Sequence, residues 1–185
     1  MDDRKAKGTM LLDFVKMIKA NKHLDWDKYL QPEDWDVIDS IILPSKWYPF
    51  DVYYRCSVAA FNLVGKGKLE AAHANGRVMG EKLFETTYRS VVQRKDPMLG
   101  FSQFVATYGA LFNFSRMHME KLGPKHCRIF HDYDAVDKAN IAYCHQLKGI
   151  FEVLIQKADG KNGKVVIGSK QWEKAPSTAF DITWE

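Results

Sequence analysis

Apolar residues recur at three- and four-residue steps through roughly the first two thirds of the chain, and after Gly123-Pro124 the spacing changes to alternation. The first period belongs to a helix with one buried face and the second to a half-buried strand. A chain with this change must pair a helical part with a small sheet. The fold class that follows is α+β: a helical N-terminal bundle followed by a small antiparallel sheet with a covering helix. With 185 residues and 46% hydrophobic content, there is material for one well-filled core, so a single domain over residues 1–185 is expected.

The periodicity places the elements. Residues 10–21 carry Leu11, Phe14, Val15 and Ile18 on one face with Lys16 and Lys19 opposite, which predicts an amphipathic first helix. Trp26, Tyr29 and Leu30 suggest a short helical piece, and Pro32 is suited to open another that carries Trp35 and Ile38. Pro44 and Pro49 bracket a rigid turn, after which Pro49 opens the next helix. Two long helices are predicted over 69–92 and 98–119. Gly76 and Gly80 keep the first of these thin, while Phe101, Phe104, Val105, Tyr108, Phe112 and Met119 form a broad stripe on the second. Strand 127–133, helix 139–158 and a hairpin of 165–167 with 180–184 complete the pattern.

The charge balance, 27 basic against 23 acidic residues, has its lysines and arginines dispersed. A nucleic-acid surface needs them gathered densely enough to neutralise several phosphates, so no nucleic-acid partner is expected. Cys56, Cys127 and Cys144 are odd in number and widely spaced, as expected of reduced thiols in a cytoplasm. The charged opening Met1-Asp2-Asp3-Arg4-Lys5 predicts neither a signal peptide nor a membrane span.

Catalytic patterns are not recognisable. Gly65-Lys66-Gly67-Lys68 lacks the spacing of a phosphate loop. Asp132, Asp134 and Asp137 lack the glycine and closing glutamate of a calcium loop, and read as strand-end and helix-capping groups. The chain is expected not to be an enzyme.

Several strings resemble one superfamily. They are Lys7-Gly8 leading into a first helix, Leu43-Pro44-Ser45-Lys46-Trp47-Tyr48-Pro49-Phe50, the helix bearing Gly76 and Gly80, and the terminal hairpin ending at Trp184. Together they resemble the superfamily of haem nitric oxide binding, vinyl-reductase-type hydrocarbon-binding and TRAPP-subunit domains, and within it an uncharacterised bacterial, myxobacterial-type branch. The resemblance implies fold more than function. Haem-binding members carry a Tyr-x-Ser-x-Arg string and an iron-ligating histidine. Tyr88-Arg89-Ser90-Val91-Val92 has valine where the arginine should stand, which predicts no tightly bound haem, with His73 and His118 the histidines to test. Hydrocarbon-binding members carry cysteines near the terminal hairpin, and residues 165–185 contain neither Cys nor His. Of His126, Cys127, His131, Cys144 and His145, only Cys127 and His131 share a strand face. No cofactor and no metal site are expected.

Two readings of function lead, ahead of a third, a haem-based gas sensor, which the valine at position 92 disfavours. One is a noncatalytic small-molecule binding or sensory domain in bacterial signalling, with an apolar ligand in a pocket formed by Gly76, Gly80, Leu83, Phe104, Tyr108 and Phe112. The same aromatics could equally fill a solid core. The other is a dimeric protein interaction module using Trp47, Tyr48 and Phe50 as an exposed apolar surface, a reading that requires those side chains to lie open.

Overall fold

A computed structural model describes residues 3–86, 88–132 and 138–185. Met1, Asp2, Asp134 and Asp137, named above, lie outside the described residues, as do position 87 of the helix expected over 69–92 and position 133 of the expected strand. The chain groups into two compact units, one of residues up to Ala71 with Ala110–Phe114, the other of Ala72–Gly109 with Ser115–Glu185.

The first unit is built from β1 (Lys5–Lys7), α1 (Gly8–Ala20), a 3-10 turn at Trp26–Lys28, α2 (Pro32–Asp39), β2 (Trp47–Pro49) and α3 (Phe50–Leu63). Leu11, Phe14, Val15 and Ile18 are the buried face of α1, as their spacing predicts. β1 and β2 pair antiparallel with Ala6 opposite Tyr48. Pro32 begins α2, and the Asp34 carboxylate accepts the Gln31 backbone N–H at 2.8 Å, closing the exposed end of the helix. Asp34 is fully buried and receives Arg55 in a bidentate pair at 2.6 and 2.7 Å. A charge so deeply placed needs such a partner. Phe112 and Phe114 pack edge-on against Phe50, and Phe112 also against Tyr53 at 5.2 Å.

The second unit holds α4 (Leu69–Glu85, from Ala72), α5 (Arg89–Val92), α6 (Pro97–Tyr108), β3 (Arg116–Gly123), β4 (His126–Asp132), α7 (Lys138–Lys157), β5 (Lys164–Ile167) and β6 (Thr178–Thr183). The four strands form an antiparallel sheet in the order β3-β4-β6-β5. α7 covers it, with Phe151 meeting Phe180 edge-on at 5.2 Å between centroids. Asp96 caps α6 by accepting Met98 N–H at 2.8 Å and Leu99 N–H at 3.2 Å, with Pro97 at the first helical position.

Two predicted helices are shorter than expected. The helix expected over 69–92 ends at Glu85 and gives way to the separate α5. The helix expected over 98–119 stops at Tyr108, and its last residues belong to β3, where Met117 and Met119 are half-buried between exposed neighbours. A two-residue alternation this short blends in sequence with the helical stripe before it.

The glycines of α4 correct a second expectation. A Cβ on Gly76 would run into the Gln146 backbone of α7, and one on Gly149 of α7 would meet the His73 carbonyl of α4. Gly80 faces Ile150 and Val153 of α7. The thin face therefore admits α7 as a close neighbour at these positions.

Candidate ligand site

α6 brings an aromatic wall to the second unit. Phe104 stands at its centre, with ring centroids 6.3 Å from Phe84, 6.2 Å from Tyr88, 6.3 Å from Tyr108 and 5.7 Å from Phe151. Phe101 continues the wall to Phe151 at 5.6 Å. Tyr108, the last residue of α6, carries its hydroxyl out of this apolar surface into a buried polar hub.

Four elements or their borders supply that hub. Tyr108 Oη lies 3.0 Å from His131 Nε2 on β4 and 3.0 Å from Tyr143 Oη on α7. Ser115, just ahead of β3, has its Oγ 3.1 Å from the same His131 Nε2 and donates to the Asp132 carbonyl at 3.0 Å. The Ser115 hydroxyl proton goes to that carbonyl, and the tautomer of His131 decides whether Nε2 donates to or accepts from its hydroxyl neighbours. Beside the hub, Cys144 Sγ lies 3.5 Å from Asn140 Oδ1. His131, Asn140, Cys144 and Thr178 are all fully buried.

Burial sets the charge state. Removing the imidazole from water lowers the His131 pKa to about 3. The same desolvation pushes the Tyr108 phenol above its ordinary range and the Cys144 thiol up to about 12. The hub is therefore neutral at physiological pH: it offers hydroxyl and imidazole hydrogen bonds, without a thiolate or an imidazolium. Such a set orients a neutral polar group and is poorly suited to nucleophilic chemistry.

The residues named from sequence are dispersed. Phe104 and Tyr108 share the aromatic wall, and Leu83 is half-buried next to Phe84 on α4. Gly76 and Gly80 face α7 instead. Phe112 lies beyond the end of α6 and belongs to the aromatic cluster of the first unit, so it shares no helix face with Phe104. The expected exposed surface is also corrected. Tyr48 and Phe50 are buried, Tyr48 accepting the Leu43 N–H at 2.9 Å, and Trp47 is half-buried under the Lys7 ammonium, 4.0 Å from its ring.

No sequence spacing joins His131, Ser115 and Tyr143. The available signal was local: His131 sits at an inward position of an alternating strand, between Ile129 and the strand end. A separate cleft of about 230 Å³ has Arg77, Glu152, Gln156 and Asn162 in its walls. Among the described residues, no three His, Cys, Asp or Glu side chains converge where they could hold a metal ion.

No protein-family model matches the chain, and neither does any curated protein. Solved structures do. An Fe(II) unliganded H-NOX protein from K. algicida superposes with a TM-score of 0.68 at 10% identity, covering 97% of this chain and 96% of that one. An H-NOX protein from S. oneidensis in the Fe(II)NO ligation state gives 0.67 at 13% identity, with 97% and 99% covered. A mutant of the T. Tengcongensis H-NOX gives 0.58 at 15% identity, with 97% of each chain covered. The chain has the H-NOX fold. At these identities the likeness concerns architecture alone.

The fold raises the question of haem, and the side chains named for it do not fit one. An iron ligand needs an imidazole nitrogen directed at the metal. His73 Nε2 instead meets the Glu152 carboxylate at 2.9 Å, and the exposed His118 ring stacks on Phe130 at 4.5 Å. Where a propionate-pairing arginine was sought, Val92 is buried, while Arg89 and Ser90 are exposed. His131 is held in the hub by Tyr108 and Ser115.

Proposed function

We propose that this chain is a noncatalytic sensory domain on the H-NOX fold that binds a neutral, largely apolar small molecule in place of haem. The observation that supports it most is the junction of the Phe104 wall with an uncharged hydrogen-bonding hub at Tyr108. Apolar walls with a few convergent polar groups are the usual construction of small-molecule sites. Phe84, Phe104 and Phe151 would contact the apolar body of the ligand. Tyr108, Tyr143, Ser115 and His131 would exchange part of their mutual hydrogen bonding for a hydroxyl or carbonyl on it. Because the hub is neutral, an anionic ligand would enter without a compensating charge, which is costly in a buried site.

The setting we propose is a single domain over residues 1–185 in bacterial cytoplasmic signalling. The buried thiols of Cys56, Cys127 and Cys144 suit a reducing compartment. The strings at Lys7-Gly8, 43–50 and the terminal hairpin support assignment to the uncharacterised bacterial branch of the superfamily.

The test is binding of the neutral fluorescent probe N-phenyl-1-naphthylamine. Saturable enhancement is expected with wild-type protein, and altered affinity in Phe104→Ala and Tyr108→Phe. Absence of saturable binding in the wild type and in both variants would contradict the proposal.

A further inference from the structure

We infer that the loop of residues 40–46, between α2 and β2, is a docking ledge for an anionic lipid surface. Its side chains alternate: Ile41 is 86% exposed and Leu43 53%, while Ile42 between them is buried. Exposed aliphatic side chains are ordinary when scattered. Here two project from one short turn that is held rigid.

Each carbonyl from Leu43 to Lys46 is taken by a donor within the protein. Leu43 O accepts Lys46 N–H at 3.1 Å, Pro44 O accepts Thr9 N–H at 3.1 Å, Ser45 O accepts Lys7 Nζ at 2.8 Å, and Lys46 O accepts Gly8 N–H at 2.9 Å. The Leu43 N–H donates to Tyr48 Oη at 2.9 Å. Unsatisfied backbone polar groups are what normally keep a loop away from hydrocarbon. With these already bonded, Leu43 can enter the acyl boundary without stripping water from its own peptide groups, and the exposed Ile41 side chain projects from the same turn.

The charge beside the loop matches the headgroup side of such a boundary. Residues 40–46 include Lys46 and no acid. Lys7 Nζ lies 4.0 Å from the Trp47 ring, and Lys46 Nζ 5.6 Å from the Tyr48 ring. Lysines at headgroup level, with aliphatics reaching deeper, are an arrangement by which proteins lie on anionic bilayers. Asp39, two residues before Ile41, is the nearest acid in sequence. Among the described residues, no helix is long and apolar enough to cross a membrane, so the contact is peripheral. A protein partner is favoured less. Stable protein interfaces bury about 800 Å² per side, whereas this ledge is a projecting turn.

The experiment is cosedimentation with phosphatidylcholine vesicles, with and without phosphatidylserine. Wild-type protein is expected to bind the phosphatidylserine vesicles in a salt-sensitive way. The double variant Ile41→Ser with Leu43→Ser should bind roughly tenfold more weakly or worse, with its melting temperature retained. Lys46→Glu keeps the backbone bonds and should also weaken binding, which covers the case of a misfolded double variant. No binding by the wild type, or equal binding by the double variant, overturns the inference. So does a wild-type dimer in light scattering that the double variant dissociates without any vesicle binding, which would make the ledge a protein interface.

Discussion

Gly76 on α4 and Gln146 on α7 meet backbone to backbone, and a single added methyl group at position 76 would collide with the Gln146 main chain. Alanine ordinarily improves a helix interior relative to glycine by roughly 0.5–1 kcal/mol. Here the obstacle is main chain, which cannot rotate away. Gly76→Ala is therefore expected to lower stability by roughly 1–3 kcal/mol, measured from the urea midpoint. A rise in the midpoint would mean that helix propensity outweighs the contact.

The hub gives a second expectation. Tyr108→Phe removes the hydroxyl shared by His131 and Tyr143 while keeping the ring in the Phe104 wall. Leaving buried polar partners without that hydroxyl should cost roughly 1–3 kcal/mol. Calorimetric stability equal to that of the wild type would show that the hub contributes nothing net.

His131 carries a pH signature whose sign follows from linkage. An exposed imidazole titrates near about 6.5, and burial lowers the folded value to about 3. Between those values the unfolded chain takes up a proton that the folded chain does not. Stability from this source is therefore full above the unfolded value and falls as pH drops, by at most about 1.4 kcal/mol per pH unit. The stability difference between wild type and His131→Gln should shrink as pH is lowered from neutral towards about pH 4. A pH-independent difference would place a titrating, solvent-reached imidazole at residue 131.

Two phenylalanines separate packing from binding. Phe104 is the centre of the wall in the second unit, and Phe112 belongs to the Phe50 and Tyr53 cluster of the first. Phe104→Ala and Phe112→Ala are each expected to cost roughly 3–5 kcal/mol if their sites are solidly packed, and Phe104→Ala less if it borders a void. Probe binding should respond to Phe104→Ala alone. A response to both, or only to Phe112→Ala, would move the site away from α6.

Legibility in the sequence followed the range of the interaction. α1, α7 and the β5–β6 pair could be read because Leu11, Phe14 and Ile18, or Leu147, Phe151 and Leu154, or Phe180 and Ile182, sit at intervals fixed within one element. β3 was missed because Met117 and Met119 alternate over too short a stretch to break the aromatic stripe preceding them. Gly76 and Gly80 announced a thin face but not its neighbour, since α7 begins far along the chain. The hub was invisible for the same reason: its hydrogen bonds join residues 16, 23 and 35 positions apart. No periodicity spans such separations. Trp47, Tyr48 and Phe50 looked like a surface because composition does not report that β2 pairs with β1.

The choice between a neutral ligand and haem is tested most directly by titrating haemin into the purified protein while following the Soret band, with native mass spectrometry on the same samples. No stoichiometric haem adduct and no sharp Soret band are expected, because His73 is engaged by Glu152, His118 is stacked on Phe130 and Val92 stands where an arginine was sought. One haem per chain with a sharp Soret band, lost on replacing His73, His118 or His131 by alanine, would contradict the haem-free reading.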